Sequence, residues 1–402
     1  MRLVGSQDGH DISECRIRRH LPVINGDSQY WEILNITLVK FLQELGVGMN
    51  RFFFQVSYDS ARKFASFLLH RCSFLFHFRH VNSFSHITIF VLLNVPGDNG
   101  IIDGQGSVWW ESFSSHSLNY SRPRLVENIG CKDVVVSNLT FLNSPAWNIH
   151  PVYCSNVQVQ NITIHAPPES PHAVGIVPDS SDNVCIEDSS ISVGYDAISF
   201  KSGWDEYGIA YGRSTRNVHI RGTHLQGSTG SALAFGSEMS GGISDIIVEG
   251  LHIHNSFTGI AFKTTKGRGG YIKDIFLSYL EMENVYKALK ATGQFGSHPD
   301  DKFDPNALPV IDRITLENIV GTNINVAGDL EGIQESPFTS ICLSNVSFLM
   351  TFGTSASWYC SSVLGFSDLV FPEPCLDLKS SYSNSSSASF SLASSDGYAA
   401  AS

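Results

Sequence analysis

The chain has 402 residues, 42% hydrophobic and 16% charged, with 34 glycines and a formal net charge of -12. So few charges disfavour long solvated helices and favour short strands with many turns, and the acidic balance without a Lys/Arg block excludes nucleic acid as a partner. No apolar run reaches the roughly 18 residues of a membrane span, so no membrane role is expected, and an anionic ligand must be met by a local basic patch.

Residues 1–34 are mixed, with a basic clump at Arg16, Arg18, Arg19 and His20, and the start lacks the apolar core of a secretory signal. Six Asn-x-Ser/Thr sequons nevertheless occur, at Asn35, Asn119, Asn138, Asn161, Asn345 and Asn384. They suggest a secreted glycoprotein whose true start is missing. Between Asn35 and Val95, Phe and Leu crowd with His and Arg, as in Arg51-Phe-Phe-Phe-Gln. Leu38–Leu45 reads as one or two helical turns and Ile87–Leu93 as a strand, without sustained alternation between them.

A glycine-rich turn cluster, Gly97-Asp-Asn-Gly-Ile-Ile-Asp-Gly-Gln-Gly, opens a different regime. An Asn or Asp precedes a β-branched residue at Asp133-Val134, Asn156-Val157, Asn183-Val184, Asn217-Val218, Asp245-Ile246 and Asp274-Ile275. The spacings are 23, 27, 34, 28 and 29 residues, and each pair is followed two positions on by Val136, Val159, Ile186, Ile220, Val248 or Leu277. The ladder continues less regularly at Ile314 and Ile341. A period of this size with short period-2 strands predicts a solenoid of stacked β coils, in which equivalent residues stack about 4.8 Å apart. Asn and Asp suit its bends because they tolerate turn conformations and can bond neighbouring backbone.

Cys131 and Cys154 each lie three residues before a strand valine, so they are expected as stacked neighbours, either bridged or as a reduced buried pair. Cys360 and Cys375 are expected to close a short loop in a terminal cap. From Lys379 the Ser/Asn/Ala-rich tail reads as disordered.

One stretch stands out for chemistry. In Gly194-Tyr-Asp-Ala-Ile-Ser-Phe-Lys-Ser-Gly-Trp204, Asp196 sits at the mouth of an apolar strand. Lys263, Lys266 and Arg268 form the best cationic cluster, suited to a carboxylate ligand or to a solvated loop. Gly267, Gly269 and Gly270 lack phosphate-loop spacing, and the histidines are too scattered for a metal site. Trp204, Tyr207 and Tyr211 suit loop anchoring or stacking on sugar rings.

Several motifs then recur together. Asn99-Gly-Ile-Ile-Asp-Gly-Gln-Gly-Ser-Val-Trp-Trp, Asn143-Ser-Pro-Ala-Trp-Asn-Ile-His, Gly194-Tyr-Asp-Ala-Ile-Ser-Phe-Lys-Ser-Gly, Phe235-Gly-Ser-Glu-Met-Ser-Gly-Gly and Lys263-Thr-Thr-Lys-Gly-Arg-Gly-Gly-Tyr-Ile resemble the plant polygalacturonases of glycoside hydrolase family 28. The resemblance covers about residues 97–375 and implies an all-β fold, a right-handed parallel β-helix with short caps. It also implies inverting hydrolysis of α-1,4-galacturonan in pectin, with no metal or cofactor.

The motif positions also depart from the family's usual residues. Its Asn-Thr-Asp falls on His172-Ala-Val174, its Asp-Asp on Tyr195-Asp196, its Gly-His-Gly on Gly230-Ser231-Ala232 and its Arg-Ile-Lys on Ala261-Phe-Lys263. Asp196 and Lys263 survive. Asp196 is therefore expected as general acid, with Lys263 and Arg268 as substrate contacts. Inversion needs a second carboxylate about 6.5–9.5 Å away, for which Asp179, Asp182, Asp205, Glu206 and Glu238 are the candidates.

The expected organisation is an anomalous segment over 1–96, such as translated intron in place of N-terminal coils, then a pectinase-like β-helix over 97–378 and a tail over 379–402. A secreted, cell-wall monomer acting on homogalacturonan is the main reading. The rivals are a catalytically inactive pectin-binding solenoid and a β-helix lyase, which would need Ca²⁺ and a basic residue.

Overall fold

A computed structural model describes residues 73–80, 83–90, 94–118, 121–352 and 357–379, with side chains from residue 100 onward. The helical turns expected at Leu38–Leu45, the basic clump near Arg16, most of the expected 1–96 segment and nearly all of the tail lie outside the described residues. Twenty strands join one sheet that winds into a parallel β-helix, and the repeat read from the sequence is its register. Val134 pairs with Val157, Val157 with Val184, Val184 with Val218, Val218 with Ile246 and Ile246 with Ile275. Ile275 then pairs with Ile314 and Ile314 with Ile341.

The bend residues explain why the pattern exists. Asp133, Asn156, Asn183, Asn217, Asp245 and Asp274 all have φ between 52° and 58°. That left-handed conformation costs most L-residues about 1–2 kcal/mol, but Asn and Asp visit it readily through local hydrogen bonds. Arg313 and Ser340 occupy the same position in the last coils at φ 55° and 54°, so backbone geometry persists where the side-chain pattern fades. Neighbouring bends are tied together: Asn156 donates to Asp133 at 2.8 Å and Asn183 to Asn156 at 2.7 Å. A second bend repeats the device, with Asn161 donating to Asn138 at 2.6 Å and Asn345 to Asn318 at 2.7 Å.

Inside the coils, apolar residues stack in files. Phe200, Phe235 and Phe262 lie 4.8 Å apart ring to ring, and Ile149, Ile176, Ile198, Leu233, Ile260 and Leu289 form a parallel file. All are buried, and each such side chain contributes about 1.5–3 kcal/mol.

At the N-terminal end the strand Ser83–Phe90 overlaps the strand expected at Ile87–Leu93 over residues 87–90, and residues 91–93 lie outside the described ones. It pairs antiparallel with Ser73–His80, which in turn pairs with Val126–Ile129. Asn94–Asp103 pairs parallel with Lys132–Leu142, so the sheet extends upstream of residue 97. At the other end Cys360 and Cys375 form the expected disulfide. Cys154 is a free thiol, buried and pushed up to about 11 by that burial, so Cys131 and Cys154 are not bridged to each other. Among the described residues two short α-helices interrupt the coils: α1, Ser107–Ser114, and α2, Asp205–Tyr211.

Candidate active site

Asp196 lies two residues before the strand Ile198–Phe200 and is 4% exposed. Lys263, at the end of a strand two coils on, donates from Nζ to Asp196 Oδ1 at 2.9 Å and Oδ2 at 2.8 Å. The Ser231 N–H donates to Oδ1 at 2.8 Å. Both oxygens are therefore accepting. Gly230 makes the approach possible, because a Cβ there would fall 2.8 Å from Asp196 Oδ1 and 2.6 Å from the Tyr195 carbonyl carbon.

The Lys263 ammonium also lies 5.2 Å from the Tyr195 ring centre and 5.1 Å from that of Phe295. Burial lowers the Lys263 pKa, Asp196 opposes that shift, and Lys201 and Lys290 add to it. Burial and the Asp196 charge raise Tyr195 to about 12, so its hydroxyl stays neutral. Asp196 and Lys263, predicted from separate motifs, thus meet as a buried ion pair.

Arg268 does not join them. Its side chain is fully buried, donating from Nη1 to Asp205 Oδ1 at 2.7 Å and lying 4.4 Å from the Trp204 ring centre. The expected contact with a sugar is not available to it there; it fastens a wall instead. His298 Nδ1 meets the other Asp205 oxygen at 2.8 Å, and Tyr207 donates to Asp300 at 2.6 Å, tying α2 to the 296–309 loop. Lys266 is at the surface, paired with Glu335. Trp204 and Tyr207 are thereby loop anchors, and Tyr211 tilts against Tyr153 at 4.9 Å.

The candidate second carboxylates separate by place. Asp182 accepts from Asn217 at 2.7 Å, as bend chemistry, and Asp205 is committed to Arg268. Glu238 pairs with Lys201 at 2.9 Å. Asp179 belongs to a half-hidden charged cluster that its turn-like sequence gave no hint of. His150 lies between Glu127, 2.8 Å from Nδ1, and Asp179, 3.4 Å from Nε2, with Trp147 edge-on to the imidazole at 4.7 Å. Burial pushes Asp179 up, but His150, Ser180 and Lys201 together hold it below the usual carboxylate range. The signal for His150 was the Asn143–His150 motif, though nothing there assigned it a task.

Among the described residues the one group of metal-capable side chains close enough to meet is Cys360, Cys375 and Asp377, and its two cysteines are bonded to each other. No helix among them is long and apolar enough to cross a membrane.

The fold and the motif positions define the class: a parallel β-helix with a buried Asp–Lys pair at the edge of its coils. The chain belongs to the glycosyl hydrolases family 28, whose family model matches residues 75–367. It is 47% identical over 285 residues to a probable polygalacturonase of Vitis vinifera, covering 71% of this chain and 58% of that protein. A probable polygalacturonase of Arabidopsis thaliana is 30% identical over 298 residues, covering 71% and 61%. The chain thus spans about three fifths of these relatives' length. Among solved structures, a hyperthermoactive exopolygalacturonase from Thermotoga maritima superposes with a TM-score of 0.53 at 26% identity, covering 62% of this chain and 54% of that one. A polygalacturonase from Erwinia carotovora shares the fold, with a TM-score of 0.53 at 22% identity over 66% of this chain and 68% of that one. The architecture is the right-handed parallel β-helix expected from the motifs.

Proposed function

We propose that the protein hydrolyses α-1,4-galacturonan in pectin at the Asp196–Lys263 pair, as a secreted protein of the plant cell wall. The observation that carries this reading is the pair itself. A buried carboxylate and a buried ammonium meet at the motif positions of a family 28 chain, next to neutral Tyr195.

An ammonium bonded to both Asp196 oxygens leaves no room there for the proton a general acid must deliver. A galacturonate carboxylate arriving at the site competes for Lys263. As the lysine turns to the substrate, Asp196 is released to take up a proton and pass it to the leaving glycosidic oxygen.

Asp179 is held ionised, as a water-activating base must be, but it pairs across the coils with Lys201, five residues along the chain from Asp196. Arg268 supports the site indirectly, by fixing the wall that carries Trp204.

Purified protein incubated with polygalacturonate should release reducing ends with inversion, and Asp196→Asn should lower kcat by about 10³-fold or more, the scale of losing a general acid with its geometry. Full activity in that variant would remove Asp196 from the chemistry. A second reading has one observation in its favour: Val174 and Tyr195 flank Asp196 where the family motif carries acids. A pectin-binding solenoid without turnover would bind galacturonan oligomers and release nothing at any pH.

A further inference from the structure

Inversion requires a group that takes a proton from the attacking water, and most of the carboxylates expected for that task are committed elsewhere. Asp182 serves a bend, Asp205 holds Arg268, Glu238 holds Lys201, and Asp179 is bridged to Lys201 beyond the strand that Asp196 precedes. Val174 and Tyr195 stand where the family motif carries acids. A basic side chain with no task so far remains beside the pair: His172.

His172 is exposed, while Ala173 and Val174 after it are buried. Its ring meets Tyr195 at 4.8 Å, and the Lys263 ammonium that holds Asp196 lies 5.2 Å from the same ring centre. The imidazole is therefore within about 10 Å of that ammonium, the scale of the roughly 6.5–9.5 Å that separates acid from base in inverting hydrolysis.

The neighbours favour a neutral imidazole. Phe113 meets it edge-on at 5.5 Å, and the Arg122 guanidinium lies 4.1 Å over Phe113. Arg122 is fixed there by donating to the Pro145 and Pro171 carbonyls at 2.9 Å and 2.6 Å. The row Arg122, Phe113, His172, Tyr195, Lys263 thus has a held cation at each end, and a third cation between them is disfavoured by both. Partial burial, Arg122 and Lys263 all lower the imidazole below its ordinary pKa of 6.5, and Asp196 opposes them.

We propose that His172 is the general base of the reaction, the group that activates water. Its unprotonated nitrogen accepts a proton from a water molecule as the water oxygen bonds to the anomeric carbon. The glycosidic bond breaks with its electron pair on the leaving oxygen, which takes the Asp196 proton. The imidazolium then gives its proton to solvent, and Asp196 regains one from solvent. This rests on the galacturonan reading above.

The test is the pH dependence of polygalacturonate hydrolysis by His172→Asn and His172→Gly. Both residues accept the φ of 50° found at His172, so circular dichroism should show the same fold in each variant. Their kcat should fall about 10²-fold or more with little change in KM. In the unsubstituted protein the rate should rise as pH climbs through a value below 6.5, where the imidazole loses its proton, and both variants should lack that acid limb. Added imidazole should restore part of the rate in His172→Gly, where the lost side chain leaves room for it. An unchanged rate would overturn the proposal, as would an acid limb that persists in the variants or a glycine variant that imidazole does not rescue. Loss of the acid limb in Glu206→Gln instead would assign the base to that carboxylate. If the unsubstituted protein releases no reducing ends at any pH, the galacturonan reading falls, and the base with it.

Discussion

The bends of the solenoid and the wall beside the cleft both depend on polar side chains held in place by hydrogen bonds, and they achieve it in opposite ways. Each bend uses a neutral or singly charged group in a left-handed conformation, and several are bonded to the same position one coil away, as Asn183 is to Asn156. The wall uses a unique charged knot, in which Arg268, Asp205 and His298 meet from three distant segments with no exposure of the first two. Repetition makes the bends tolerant, because each rung carries a small share. Uniqueness makes the wall brittle, since removing one member leaves a charge stranded in a low-dielectric interior.

The strongest way to break that contrast is Arg268→Met. It should cost about 3–5 kcal/mol in urea unfolding, the range for orphaning a buried charge, whereas Arg268→Met combined with Asp205→Leu should recover most of the loss. A double variant as unstable as the single one would mean that the guanidinium matters for its stacking on Trp204 and not for its charge.

A bend should give less. Asn183→Ala must hold φ at 56° without a side-chain amide, so a loss of about 1–2 kcal/mol is expected, and Asn183→Gly should lie closer to the unsubstituted protein. If glycine proves as harmful as alanine, the ladder bonds outweigh the backbone strain.

The smallest expected effect separates the two regions by pH. The folded-state pKa of Asp179 is depressed, so its contribution to stability is present above the ordinary value of 3.8 and is lost as pH falls below it. Asp179→Asn should be less stable near neutrality and lose less on further acidification, while Asn183→Ala should shift the whole stability curve without changing its slope. Identical slopes for Asp179→Asn and the unsubstituted protein would show that the His150 cluster does not govern acid sensitivity.

The same contrast explains what could be read from the chain alone. The bends were legible because they recur: Val134, Val157 and Val184 repeat one local requirement, and the register follows from counting. Arg313 and Ser340 show where side-chain identity stops reporting a geometry that continues. The Asp196–Lys263 pair was half legible. Each residue belonged to a recognisable motif, but the contact joins positions 67 residues apart and occurs once. The Arg268 knot was illegible for that reason, and a glycine-flanked arginine beside two lysines looks the same whether it faces solvent or Asp205. The His150 cluster depends on Glu127, His150, Asp179 and Lys201 arriving at one place from four successive coils, which no local pattern encodes.

The sequons also take on a different meaning once the second bend is known. In Asn138-Leu-Thr, Asn161-Ile-Thr and Asn345-Val-Ser the asparagine turns the chain at φ of 54°, 49° and 51°, and the next residue points into the core. The hydroxyl residue then starts the outward face. The glycosylation signal is what the spelling of a bend produces when a strand opens on Ser or Thr. Asn161 and Asn345 each use an amide N–H for the bond to the coil below, so a glycan on either would leave a single N–H to keep that rung closed.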